Sequence, residues 1–113
     1  MLFDVRTESR TGWVQVTVMG ELDLSTAPEF RRDLRAAIAT ADGATVVVDL
    51  GGVSFVDSVG LGLLVGASRR ARTAGGTLVV MGTHGRIDAL LAETGLSGVL
   101  DVRSSFEPTS TTG

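Results

Sequence analysis

A chain of 113 residues, 43% of them hydrophobic, is long enough to bury one core and leaves no room for a second, so a single domain is expected. The net charge of −3, and ten basic residues that are all arginine and scattered from Arg6 to Arg103, exclude the clustered positive footprint of a nucleic-acid binder. The absence of cysteine excludes disulfides and thiolate metal sites, and the lone His84 gives no basis for a histidine site, so no metal or cofactor is expected. The longest strongly apolar stretch, residues 61–67, is interrupted by glycines and is too short to span a bilayer. The first residues carry no basic region or apolar core of signal-peptide length, so no export is expected and the chain reads as cytoplasmic.

Taken in order, residues 3–7 alternate apolar and polar, and residues 13–19 do so again with Val14, Val16 and Val18 on one face. This pattern predicts two half-buried strands joined by a turn at Thr11-Gly12. Over residues 27–40, Phe30, Leu34, Ala37 and Ile38 recur at helical spacing while Arg31, Arg32, Asp33 and Arg35 point away, predicting an amphipathic helix. Thr26-Ala27-Pro28-Glu29 reads as its capping box, with the Thr26 hydroxyl on the Glu29 amide and Glu29 reaching back. Residues 45–50 are β-branched and apolar except for Asp49, as expected of a central strand covered on both faces.

Residues 58–72 predict a second helix with Leu61, Leu64, Val65 and Ala67 inward. Arg69, Arg70 and Arg72 sit at its far end, where they read as a solvated face that suits the helix dipole. Gly75-Gly76 ends this helix, and residues 77–81 form a short buried strand. Ile87, Leu90 and Leu91 mark a third helix that stops at Gly95 in a left-handed cap with Leu96 folding back. Residues 99–102 form a last strand, and residues 104–113, with six Ser or Thr and one large apolar side chain, read as a disordered tail. The order β-β-α-β-α-β-α-β predicts an α/β domain over residues 3–103. Its mixed sheet should hold an antiparallel pair at the N-terminal end, parallel strands reached by right-handed crossovers, and helices packed against it.

The chemistry gathers where the central strand feeds the second helix, at Asp57-Ser58, beyond the carboxyl end of a strand in an open α/β sheet. Either residue suits an N-cap. Counting by fours from Ser58 gives Gly62, Gly66 and Arg70 on one helix face. Each glycine costs roughly 1 kcal/mol against alanine inside a helix. The stripe therefore either packs tightly on the sheet or leaves a track on which another backbone lies close to Ser58. A second loop, residues 20–26, also leaves a strand's carboxyl end and should bring Asp23, Ser25 and Thr26 beside Ser58; their local alternative is turn and cap chemistry.

On these residues the chain resembles the STAS domain of bacterial anti-sigma factor antagonists. Three blocks carry the resemblance: Gly20-Glu21-Leu22-Asp23 with its following Thr26-Ala27, Val48-Asp49-Leu50, and above all Phe55-Val56-Asp57-Ser58-Val59-Gly60-Leu61-Gly62. It covers about residues 3–103 and the order of elements. The resemblance implies phosphorylation at Ser58 by a partner that is both anti-sigma factor and serine kinase of the GHKL ATPase type. It implies that the dephosphorylated form binds that partner and releases a sigma factor, and that a PP2C-type phosphatase restores it. The implied partner-binding positions are Asp23, Ser25, Thr26, Asp57, Ser58, Val59, Gly60, Gly62 and Gly66. Two departures stand out: Val59 occupies a position where some members carry Ser or Thr, and the chain's end is a poor candidate for the further helix with which many members finish.

Enzyme readings are weak. Gly60-x-Gly62-x-x-x-Gly66 has the wrong spacing for a dinucleotide loop, lies inside a helix, and is joined by no P-loop. Val56 stands where a serine hydrolase elbow needs glycine, and nothing in the sequence places His84 near Ser58. No enzyme activity is expected. The alternative to an antagonist is a STAS scaffold in a stress-signalling or transporter-associated complex without a sigma factor, against which the motif serine is intact.

Overall fold

The computed structural model describes residues 3–108. Alternation builds the first hairpin: β1 (Asp4–Arg10) pairs antiparallel with β2 (Trp13–Leu22) across the turn at Thr11-Gly12. Every second residue of β2 from Val14 to Val18 is buried, as the period of 2 requires. The chain then alternates helix and strand: α1 (Ala27–Ala41), β3 (Thr45–Val56), α2 (Ser58–Thr73), β4 (Thr77–Met81), α3 (Gly85–Thr94) and β5 (Asp101–Arg103). The five strands lie in sequence order, and every pair after the first is parallel, so the predicted α/β class and mixed sheet hold. The elements run longer than expected at β1, β2 and β3, and the last strand begins two residues later, after a 3-10 turn at Leu96–Gly98. Gly95, at φ 73°, ends α3 in the left-handed cap.

One apolar layer holds the three helices to the sheet. Val14, Val16 and Val18 of β2, Val46, Val48 and Leu50 of β3, and Leu78 and Val80 of β4 meet Phe30 and Leu34 of α1, Leu61 and Leu64 of α2, and Ile87 and Leu91 of α3. Fully burying such a side chain contributes roughly 1.5–3 kcal/mol, which fixes the helix faces far more firmly than propensity does. Val65 departs from the expectation: it is only partly buried, and Ser68 and Ala71 take inward positions beside Ala67. β3 is covered on both faces, as its composition predicts, but by helices on only one. All three helices share one face with the even-numbered β3 residues, although Val47 and Val79 on the other face are also fully buried.

On that second face, the chain end supplies cover. Phe106 packs against Trp13 with ring centroids 5.1 Å apart, and the Arg10 guanidinium lies 5.8 Å from the same Trp13 ring. Phe106, Glu107 and Pro108 share a shallow cleft with Thr45, Thr77 and Val79. Ser104–Pro108 thus carries neither helix nor strand, yet the one large apolar side chain of the segment expected to be disordered is packed; the rest of that segment, residues 109–113, lies outside the described residues.

The capping box at Thr26 does not form. Thr26 adopts helical backbone angles, φ −97° and ψ −8°, and makes no side-chain cap bond. Its hydroxyl instead turns back, donating to the Glu21 carbonyl at 2.8 Å and accepting from the Asp23 amide at 3.1 Å. The entering amides of Thr26 and Ala27 are met by the Asp23 carbonyl at 3.2 and 2.9 Å, and Pro28 has no amide to satisfy.

Candidate functional site

Two irregularities in β3 shape the site. Thr17 faces Asp49 but Met19 faces Gly52, and Gly20 faces Val53 but Glu21 faces Phe55, so β3 twice carries one residue more than β2. The Asp49 carboxylate accepts from the Gly51 amide at 2.8 Å at the first bulge, which gives the strand's only charge a local task. After the second, strict alternation is broken: Val53 and Val56 are buried while Ser54 and Phe55 between them are exposed, Phe55 by 44%. Beyond Asp49 the strand has no β4 partner, so residues 50–56 run on beside β2 alone and deliver Asp57 and Ser58 at the sheet's carboxyl edge.

Asp57 is the N-cap of α2. Its backbone is extended, and its Oδ1 accepts from the amides of Val59 at 2.9 Å and Gly60 at 3.1 Å. Its own amide donates to the Leu22 carbonyl at 3.1 Å, tying the start of α2 to the end of β2. With Asp57 in this role, Ser58 is left free of capping duty: it is the first residue of α2, exposed, and its hydroxyl makes no hydrogen bond among the described residues. Amides of the first helical turn point outward at this position.

The expected neighbours divide by role. Gly60 is buried, and a Cβ there would stand 3.0 Å from the Leu22 carbonyl and 3.1 Å from Leu22 Cβ. That glycine therefore serves the close approach of α2 to β2 and has no surface to offer. Gly62 is exposed, Gly66 partly so, and a Cβ at either would meet nothing within 4 Å, so the stripe looks outward and is not a packing device against the sheet. Val59 and Asp57 are partly buried.

The loop after Leu22 is held against this corner by the bond from the Asp57 amide. Within it, Asp23 Oδ1 accepts from the Ser25 hydroxyl at 2.6 Å, the Ser25 amide at 2.9 Å and the Thr26 amide at 3.2 Å, a self-contained turn. These bonds, the Ser25 hydroxyl foremost, hold the Asp23 carboxyl below its ordinary value, against the opposing effect of desolvation. Ser25 is exposed and Thr26 partly buried.

Sequence reasoning missed two apolar side chains at this corner. Leu24, between Asp23 and Ser25, is 73% exposed, and Phe55 is exposed by the bulge. Leu24 carried no signal because a lone apolar residue in a polar loop has no period to break; Phe55 was hidden by a register that alternation cannot reveal. His84 lies near the site with no sign of it in the sequence: it lines, with Ser58, Phe55, Arg86 and Leu90, a cleft of about 370 Å³ between the β3–α2 junction and α3. No hydrogen bond joins His84 to Ser58 or to a carboxylate among the described residues, so the pairing that activates a nucleophilic serine is not made. Among the described residues no group of three or more His, Cys, Asp or Glu is placed to hold a metal, and no helix is long and apolar enough to cross a membrane.

Comparison with known proteins identifies the five-stranded mixed sheet and its crossover helices: the STAS domain family model matches residues 4–109, and the chain belongs to that family. Among its relatives, the anti-sigma-B factor antagonist of Listeria monocytogenes is 34% identical over 86% of this chain and 84% of its own length. The anti-sigma-B factor antagonist of Bacillus subtilis is 31% identical over 95% of this chain and 96% of its own. An anti-sigma factor antagonist from Mycobacterium paratuberculosis superposes with a TM-score of 0.81 at 27% identity, covering 93% of this chain and 88% of that one.

Proposed function

We propose that this protein is an anti-sigma factor antagonist switched off by phosphorylation at Ser58. Unmodified, it binds a cognate anti-sigma factor that is also a serine kinase of the GHKL ATPase type, and so frees the sigma factor; a PP2C-type phosphatase reverses the modification. It works as a binding protein of the cytoplasm and not as an enzyme. The partner meets a surface made of Asp23, Ser25, Thr26, Ser58, Val59, Gly62 and Gly66, to which Leu24 and Phe55 add apolar area. Asp57 and Gly60 set that surface's geometry from below. Support comes from the names of relatives that share nearly the full length of the chain.

One observation carries the reading: the Ser58 hydroxyl is exposed and without a hydrogen-bond partner among the described residues because Asp57 takes the α2 amides. A phosphate adds about −1.5 to −2 charges. With the Val59 and Gly60 amides held by Asp57, it is the dipole of the helix N-terminus that favours the anion. Because the Ser58 hydroxyl supports no contact of the fold among the described residues, the domain survives modification. A partner carboxylate ~4 Å away feels roughly 4 kcal/mol of repulsion per unit charge at an effective dielectric near 20. Half of that weakens binding by more than about tenfold. Incubation with the candidate kinase and ATP, followed by mass mapping, should place one phosphate on Ser58 and none on Ser58→Ala. Ser58→Ala should keep partner affinity, and Ser58→Glu should lose at least about tenfold by calorimetry; full affinity in the acidic variant would refute the mechanism.

A further inference from the structure

From the groove between α1 and α2, which lies along the glycine stripe that begins at Ser58, we infer a docking site for an acidic amphipathic helix of a protein partner. The inference rests on the binding role proposed above and extends that surface from Gly62 and Gly66 across to α1. The groove encloses about 270 Å³. Buried Leu34, Ile38 and Ala67 and partly buried Leu63 lie beneath it, and Gly62 and Gly66 open it on the α2 side.

Its rim is charged with one sign. Arg31 and Arg35, one helical turn apart on α1, face Arg70 of α2 across the opening, and no acidic residue lines the groove. None of the three arginines makes a salt bridge among the described residues, whereas the neighbouring Arg32 lies 3.9 Å from Asp33. Three uncompensated positive charges thus gather at one groove on a chain whose net charge is −3. Such a concentration attracts carboxylates and repels a basic segment, which gives partner orientation as well as encounter rate.

The floor sets the shape of the occupant. From Gly62 to Arg70 the groove runs ~12 Å along α2, room for about two turns of helix. A Cβ at Gly62 or Gly66 would meet nothing within 4 Å, so the space above both positions is open to an incoming side chain or backbone. Helix axes pack 8–10 Å apart according to the side chains between them, and paired glycines allow the near end of that range, about 8 Å. Leucine or alanine on the incoming face would fill the open space above Gly62 and Gly66 and cover the exposed part of Leu63, and glutamates on its two flanks would reach the arginines on opposite rims.

The test uses the full chain, labelled with nitrogen-15. It is titrated with a synthetic helical peptide that has a Leu/Ala stripe flanked by glutamates at i, i+4, and with a control in which lysine replaces every glutamate. Shifts at the amides of Gly62, Leu63 and Gly66 are expected with the acidic peptide alone. Arg31→Gln, Arg35→Gln and Arg70→Gln, all at exposed helix positions, should each weaken it about 1.5- to 5-fold, as for exposed ion pairs, and together about 3- to 100-fold. Absence of shifts at those amides, equal shifts with the lysine peptide, stronger shifts with a DNA duplex, or the same shifts on raising the protein concentration alone would each overturn the inference. Mass mapping at Ser58 reads the switch separately, so a failed phosphorylation leaves the peptide titration to decide the groove on its own terms.

Discussion

Replacing both Gly62 and Gly66 by alanine should make the protein more stable, because each glycine sits inside α2 with open space where a Cβ would go. Nothing within 4 Å resists the added methyl, so the change reduces to helix propensity and the lost freedom of the unfolded chain. Each substitution then contributes roughly 0.8–1 kcal/mol, and the two together about 1.6–2 kcal/mol. For a domain of this size that raises Tm by ~6–8 °C. Gly60→Ala should behave oppositely. Its Cβ would press on the Leu22 carbonyl at 3.0 Å, Leu22 Cβ at 3.1 Å and Val56 Cγ1 at 3.3 Å. Overpacking costs about 1–3 kcal/mol and exceeds the propensity gained in a first turn. Urea unfolding followed by circular dichroism, with unchanged m-values, checks both. A Gly62→Ala/Gly66→Ala protein less stable than the parent would show that the stripe is held against something, and would refute the outward placement on which the proposed partner surface depends.

Asp57→Ala removes the side chain that satisfies two α2 amides and should cost about 1 kcal/mol, measured by urea titration, with fraying of the first turn visible as faster amide exchange at Val59 and Gly60. Asp23 has a folded-state pKa below its unfolded one, so its contribution is present above the ordinary carboxylate range and is lost as pH falls through the lower folded value. The amide resonances of Ser25 and Thr26 should therefore titrate on acidification in the parent and stay flat in Asp23→Asn; a flat parent would show that the turn does not rest on that carboxylate. Phe106→Ala uncovers one side of Trp13, the chain's only tryptophan, and should shift its fluorescence to the red with a loss of roughly 0.5–1.5 kcal/mol. Unaltered emission would place Phe106 away from that ring.

How much of this was legible in the sequence follows from which interactions are local. The elements could be read because Val14, Val16 and Val18 repeat every second residue, while Phe30, Leu34, Ala37 and Ile38 repeat at helical spacing; burial follows both. The Asp57-Ser58 junction was legible as a cap, although which of the two does the capping depends on backbone angles that sequence does not display. The exposure of Phe55 was not legible, since two bulges on β3 reset the alternation and only the pairing with β2 reveals them. Thr26 misled because its hydroxyl finds a better partner behind it, at Glu21, than ahead of it in the helix. The one-sided stacking of the helices escaped because Val47 and Val79 are as apolar as their neighbours, and cover from Trp13 and Phe106 depends on chain far away in sequence. His84 entered the site only when α3 folded back along the free flank of β3.

The carboxylate at position 57 and the hydroxyl at position 58 are adjacent in the chain, yet only the first supports the architecture. On the proposed reading, regulation would be erased or reinstated by exchanging a single side chain, with no toll on folding to be made good elsewhere. A Ser58→Ala protein would then present the same shape, permanently licensed to engage.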